Sequence, residues 1–325
     1  MENKIQLSIL GMSLFYQEKK TILEKIKKDV LKRKKFIHIV SVNPENLIIA
    51  LDNKKFKKVI ETAQIQIIDG IGIVMAVRLL KNKVIERLAG VDLMRDLLDF
   101  AGKRRLRVLL IGGRPKLAEL LADCYQKKYP EARFLGIEGI KNIKNPKKSE
   151  EKEIFSIVSD LKPHFVFVAF GSPDQELWID RHKRHFNNCV VMGVGGAFDF
   201  LTGKVPRAPV FIQKFGLEWL FRLLNQPWRF KRQLRLVKFG WLIFINFFVN
   251  LINKMISFSP KTFFEISSEI IVNLTSGWIA VLIAPNILGL ISFNDYLKLL
   301  TQNLIFVIFT VVGLVISLWF RELSK

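Results

Sequence analysis

The chain has 325 residues, half of them hydrophobic and a quarter charged, which excludes wholesale disorder and leaves room for one large domain or two small ones. A formal net charge of +22 points to anionic partners such as nucleic acid, anionic lipid or phosphorylated small molecules, although a lysine-rich composition gives the same total. The two cysteines, Cys124 and Cys189, sit in no CxxC or Cys/His cluster, which argues against a disulfide framework and a zinc site.

Residues 1–35 read as amphipathic and close on the basic run Lys32-Arg33-Lys34-Lys35, and no signal-peptide pattern opens them. A buried strand is expected at 36–41, stopped by Asn43-Pro44, with helical spacing over 45–62. A second short strand at 65–69 ends in Asp69-Gly70; helix follows through residue 80 and again over 91–103. A third strand at 107–111 breaks at Gly112-Gly113 and leads into a helix to about residue 129. After a Lys/Asn/Pro loop at 141–150 come helix 150–161, strand 165–169, helix 173–186, strand 189–193 and helix 211–225. Apolar strands alternating with helices imply a parallel sheet covered on both faces, with ligands beyond the carboxyl ends of the strands.

Past residue 239 the composition changes. Residues 240–325 hold five Lys/Arg and four Asp/Glu, so nearly all the excess positive charge precedes them. Segments 270–293 and 302–320 contain no charged residue and are long enough to cross the hydrocarbon core of a bilayer. Pro285 and Gly289 interrupt the first, which allows a kink or a re-entrant turn. The shorter apolar run 240–253 suits an interfacial helix after the basic arm Arg229, Lys231, Arg232, Arg235 and Lys238. The positive-inside rule then places the globular part in the cytoplasm. A buried helical hairpin of a soluble protein competes with this reading, but uncharged runs of this length are rare in soluble folds.

Several strand ends carry polar groups suited to chemistry. Asp69 can act as a general base toward a hydroxyl, and the apolar run before it would raise its pKa; taken alone, an Asp capping the next helix is the simpler reading. Ser41 and Asn43 alternate, so both face one side, where they can grip a sugar or simply build an Asn-Pro turn. Gly112-Gly113 and Gly171 lie at strand-to-helix turns that suit phosphate, although neither is a full GxGxxG or Walker pattern. Gly195-Gly196 leaves room for close ligand approach or tight packing, and Asp199 is placed to bond a ribose or base. Gln175 starts a helix, where it can position substrate. Arg222, Arg229 and Arg232, interleaved with Trp219 and Trp228, suit a diphosphate, lipid headgroups or plain solvation. No Asp-x-Asp pair is present to hold Mg²⁺ on a nucleotide diphosphate, so leaving-group charge would fall to arginines and helix N-termini.

Taken in order, Ser-x-Asn-Pro-Glu at 41–45, Asp-Gly-x-Gly at 69–72, Arg-Leu-Ala-Gly-Val-Asp at 87–92, Gly-Ser-Pro-Asp-Gln-Glu at 171–176, Gly-Val-Gly-Gly-Ala-Phe-Asp-Phe at 193–200, Gly-x-x-x-Arg-Ala-Pro at 203–209 and Gly-Leu-Glu-Trp-Leu-Phe-Arg-Leu at 216–223 resemble the WecG/TagA/CpsF family, glycosyltransferase family 26, over roughly residues 5–238. The resemblance implies an inverting, metal-independent hexosyltransferase with no cofactor. It would move N-acetylmannosamine, its uronic acid or a related sugar from a UDP-sugar to a polyprenyl-diphosphate-linked sugar, in cell-surface polysaccharide or teichoic acid linkage-unit assembly. Asp69 matches the family's proposed base; Ser41, Asn43 and Gln175 match active-site polar positions; Arg87 and Asp199 match donor-side positions. Arg222, Arg229 and Arg232 match a C-terminal appendage that closes the site at the membrane. Most members stop near residue 239, so the tail departs from the pattern.

The expectation is therefore an α/β protein with a Rossmann-like, mostly parallel sheet, helices on both faces and a C-terminal membrane hairpin. Residues 1–210 form the transferase domain, 211–239 the basic appendage, and 240–325 the membrane segment. Catalytic candidates are Asp69, Ser41, Asn43, Gln175 and Arg222; binding candidates are Arg87, Gly112, Gly113, Gly171, Gly195, Gly196, Asp199, Arg229 and Arg232. Partners are a UDP-sugar, a lipid-diphosphate acceptor and membrane lipid at the cytoplasmic face, with no nucleic acid; a homo-oligomer is compatible. A dinucleotide-dependent oxidoreductase and a non-catalytic membrane scaffold are the competing readings, the first disfavoured by the missing GxGxxG-plus-acid pattern.

Overall fold

The computed structural model describes residues 4–33, 35–214, 216–227, 230–256 and Glu269. Arg229 and the expected spans 270–293 and 302–320 lie outside the described residues. The chain divides into two compact units, residues 1–246 and 247–325.

The first unit opens with strands β1 (Ile5–Ile9) and β2 (Met12–Tyr16), an antiparallel hairpin where the sequence suggests a single amphipathic stretch. Leu7, Ile9, Met12, Leu14 and Tyr16 are buried, a period of two that marks strands. The turn, Leu10-Gly11, has both residues at positive φ (50° and 71°) but lacks an Asn-Gly or Asp-Gly signal, so it is hard to read in advance. Helix α1 (Lys19–Lys32) follows, then β3 (Ile37–Val42). The helical stretch expected over 45–62 is two helices, α2 (Pro44–Asp52) and α3 (Lys54–Thr62), because Asn53 starts a new one by accepting the Phe56 N–H at 3.0 Å.

Next come β4 (Ile65–Ile68), α4 (Ile71–Lys81), α5 (Gly90–Lys103), β5 (Arg107–Gly112) and α6 (Leu117–Lys128). Strand β6 (Arg133–Ile137), unexpected from the sequence, is a half-buried edge strand with a weak apolar pattern. Then follow α7 (Lys148–Leu161), β7 (Phe165–Ala169), α8 (Asp174–Arg181) with a 3₁₀ turn at Lys183–Phe186, β8 (Val190–Gly193) and the short α9 (Ala197–Leu201). The single helix expected at 211–225 is instead α10 (Val210–Lys214) and α11 (Glu218–Asn225), parted at Gly216, whose φ is +74°. The last described element, α12 (Phe230–Ile256), runs unbroken through the boundary drawn at 239/240. Gly240 alone costs about 1 kcal/mol in a helix, too little to end one of this length. Within α12, Arg232–Leu251 is the one stretch among the described residues long and apolar enough to cross a membrane, with mean hydropathy 1.5.

Strands β3 to β8 form one sheet in the order β4-β3-β8-β7-β5-β6, every neighbouring pair parallel. Alternation along each strand feeds two faces. Ile37, Ile39, Ile65, Ile67, Phe165, Phe167 and Met192 pack with α1, α5, α6 and α9. Val40, Val42 and Ile68 pack with α2, α3 and α4, while Val166, Val168 and Val191 pack with α7 and α8. The α/β class with helices on both faces is as expected.

Candidate active site

At their carboxyl ends, β3 and β8 hand the chain to opposite faces. Leu47 and Ile48 of α2 join the core beneath Val40 and Val42, whereas Ala197 and Phe198 of α9 join the core beneath Ile39 and Met192. The divergence opens a crevice over the strand ends, the usual ligand position in such sheets.

Asp69 follows β4, its N–H extending the ladder to the Val42 carbonyl at 2.8 Å. Its side chain accepts the Gly90 N–H through Oδ2 at 2.9 Å, at the start of α5. A Cβ at Gly90 would come within 3.0 Å of Ser41 Oγ and 3.1 Å of Asp69 Oδ2, so a larger residue there would crowd both side chains. Burial raises the Asp69 pKa from 3.8 to about 6, outweighing the opposing pull of Arg87 and of the Gly90 N–H. The carboxyl is nevertheless 24% exposed and so open to the crevice.

Arg87 heads a chain of ion pairs. Its Nη2 lies 3.5 Å from Asp69 Oδ1 and 2.8 Å from Glu218 Oε2 of α11. The other oxygen of Glu218 faces Arg207 Nε at 3.4 Å, and Arg207 closes on Asp92 through a two-pronged pair that includes Nη2 to Oδ2 at 2.8 Å. A cavity of about 200 Å³, lined by Arg87, Ala89, Asp92, Arg207, Val210 and Gln213, lies along this chain.

The glycine turns form the other half. Gln175 is buried, and its Oε1 accepts the N–H groups of Gly171 (3.1 Å) and Gly195 (3.0 Å), fastening the turn after β7 to the turn after β8. Its Nε2 donates to Glu176 Oε1 at 2.7 Å, and burial raises the Glu176 pKa. The close approach of both side chains beneath Gly193 leaves no room for a Cβ there. A Cβ at Gly196 would sit 2.7 Å from Arg222 Nη2, which places the arginine of α11 directly over the second turn. The Arg222 guanidinium also stacks over the Phe200 ring at 4.8 Å, and its buried Nε has no hydrogen-bond partner among the described residues. Burial first, and then Arg232, lowers its pKa. Asp199 pairs with Arg114 Nε at 3.2 Å.

Asn43 and Gly113 spend polar groups on neighbouring backbone, and Gly112 is buried. Asn43 caps α2, Oδ1 accepting the Asn46 N–H at 2.8 Å. Gly112 packs against the Phe170 ring, and the Gly113 N–H is taken by the Ala169 carbonyl at 3.0 Å. Arg232 lies 3.8 Å from Glu45. Glu218, Arg207, Asp92, Gly90 and Arg114 carry no role of their own in the sequence reading, and Glu176 only that of opening a helix beside Gln175. Asp92, Arg207, Glu218, Glu176 and Gly90 lie inside the quoted motifs; their charge types could have flagged the ion pairs, but not who pairs with whom.

The fold is a parallel α/β sheet with a carboxyl of raised pKa at one strand end and an arginine-bearing helix above the glycine turns. The family described as Glycosyl transferase WecG/TagA/CpsF matches residues 7–251, and the chain belongs to that family; it is a glycosyltransferase. It is 34% identical over 209 residues (64% of this chain, 79% of the relative) to a protein of Bacillus spizizenii strain W23 named N-acetylglucosaminyldiphosphoundecaprenol N-acetyl-beta-D-mannosaminyltransferase. A Bacillus subtilis strain 168 protein of the same name is 32% identical over 203 residues, 62% of this chain and 77% of the relative.

Proposed function

We propose that this chain transfers N-acetylmannosamine, or a close relative of it, from a UDP-sugar to a polyprenyl-diphosphate-linked N-acetylglucosamine. The names of the two Bacillus relatives supply the sugar and acceptor classes. The observation that carries the mechanism is Asp69: its carboxyl ends β4, is 24% exposed, accepts the Gly90 N–H and lies 3.5 Å from Arg87, and burial raises its pKa.

Asp69 takes the proton of the acceptor hydroxyl as its oxygen bonds to the anomeric carbon. The bond from that carbon to UDP breaks on the opposite face, and the electron pair leaves with the diphosphate, giving inversion. Arg222, whose Nε has no hydrogen-bond partner among the described residues, offsets the developing charge with the N–H groups of the nearby turns. Ser41 helps seat the acceptor beside Asp69, and Arg87 and Asp199 line the donor side. Gln175 serves by shaping the turns, because its polar atoms are already bonded. Residues 1–210 would perform the chemistry, 211–239 cover it, and 240–325 hold it at the cytoplasmic face of the membrane.

The test is turnover of UDP-N-acetylmannosamine with a lipid-diphosphate N-acetylglucosamine analogue, read by mass spectrometry in a chelating buffer. Wild-type protein should form the disaccharide, and Asp69→Asn should lower the rate about 10²–10⁴-fold while leaving UDP binding intact. An Asp69→Asn enzyme of undiminished rate removes the base assignment.

A further inference from the structure

The transfer step leaves one group beside Asp69 without a task. Among the described residues, the groups that face Asp69 are Ser41 Oγ from β3, the Gly90 N–H from α5, the Arg87 guanidinium from the segment before α5, and the Glu218 carboxylate from α11. Three of these have evident uses. Glu218 is an acid in a site that must accommodate an anionic donor, which is electrostatically costly unless the acid serves the site in another way.

The distances show what it does. A single nitrogen, Arg87 Nη2, serves two carboxylates, and it sits 2.8 Å from Glu218 but 3.5 Å from Asp69. A guanidinium at full hydrogen-bond distance holds a carboxylate ionised and suppresses its basicity, commonly by one to three pKa units. Glu218 is well placed to compete: it is 17% exposed and lies at full hydrogen-bond distance from Arg87. Its negative charge also opposes ionisation of Asp69 directly.

We propose that Glu218 is a positioning residue that draws Arg87 off Asp69 and so keeps Asp69 basic enough to take the acceptor proton. Because Glu218 and Arg222 stand four residues apart on α11, one helix then sets the base on one side of the cleft and covers the glycine turns on the other. The proposal rests on Asp69 being the base.

The experiment is the pH dependence of kcat/KM for the full chain, with the donor and acceptor analogue above, for wild type, Glu218→Gln, Glu218→Asp and Asp92→Asn. Wild type should lose activity below about pH 6 as Asp69 protonates. Glu218→Gln frees Arg87 and removes a negative charge, and both changes move that acid limb to lower pH, by about one unit. Glu218→Asp keeps the charge on a shorter reach and should fall between the two, so the order survives if the Gln variant folds poorly. Asp92→Asn loosens the outer end of the chain of pairs while keeping the Glu218–Arg87 contact; it should lower the melting temperature and leave the limb in place. A Glu218→Gln enzyme that is merely slower, with its limb unmoved, overturns the inference and leaves the base assignment standing. Equal displacement in Asp92→Asn also overturns it. An active Asp69→Asn enzyme removes the base itself, whatever Glu218 does.

Discussion

An acid whose pKa rises on folding binds its proton more tightly folded than unfolded, so folding is favoured where both states are protonated and penalised where both are ionised. For Asp69, raised from 3.8 to about 6 chiefly by burial, the penalty is absent below about pH 4, grows as pH rises through 6, and then levels at about 3 kcal/mol. The same burial that makes the carboxyl a usable base therefore weakens the fold at neutral pH, a common exchange at active sites. Asp69→Asn keeps an oxygen for the Gly90 N–H and removes the charge. Its melting temperature relative to wild type should climb between pH 4 and 6.5 and stay above wild type at pH 7.5. A difference flat across that range would mean that Asp69 is not desolvated as its surroundings indicate.

At the scale of elements, the site depends on turns that hold each other. Gln175 accepts one N–H from the turn after β7 and one from the turn after β8. Gln175→Leu would keep the bulk but orphan both donors and the partner oxygen of Glu176, at about 1–3 kcal/mol for each group that water fails to reach. The expected result is a melting temperature lower by several degrees together with weaker UDP binding, read by calorimetry on the same sample; weaker binding with unchanged melting would instead mean that Gln175 touches the donor. Little of this staple was legible beforehand. The strands at 37–42, 65–68, 107–112, 165–169 and 190–193 were evident because each is a short apolar run ended by Gly, Asn or Asp. Asp69 and Ser41 were evident as polar groups at those ends. The amide of Gln175 gave no sign of facing inward, since a polar residue opening a helix looks the same whether it meets a ligand or two glycine N–H groups. Strand β6 was hidden because it is a half-buried edge strand whose apolar pattern is blurred, and the hairpin at 5–16 because its Leu10-Gly11 turn carries no Asn-Gly or Asp-Gly signal.

At the scale of the whole molecule, basic charge and exposed apolar surface are two separate sources of membrane attraction. Helix α12 enters the first unit's core with Phe239 and Ile243, and Arg235 pins it to Glu45 of α2 at 2.7 Å. Leu234, Val237 and Trp241 are more than half exposed, spaced three or four apart along the helix. A soluble helix needs only the first stripe; the second leaves large side chains in water unless something apolar covers it. The excess basic charge before residue 240 attracts an anionic leaflet, but that attraction is screened within about 10 Å at 0.1 M salt and falls further in concentrated salt. Burial of an apolar stripe is not screened by salt. The two forces therefore separate in one experiment. Purified protein mixed with vesicles containing anionic lipid should stay with the lipid on flotation in 1 M NaCl, and should bind neutral vesicles more slowly but hold them as firmly. Release by salt would mean that the basic surface alone tethers the chain, and the exposed stripe of α12 would then need a protein partner rather than a bilayer to explain it.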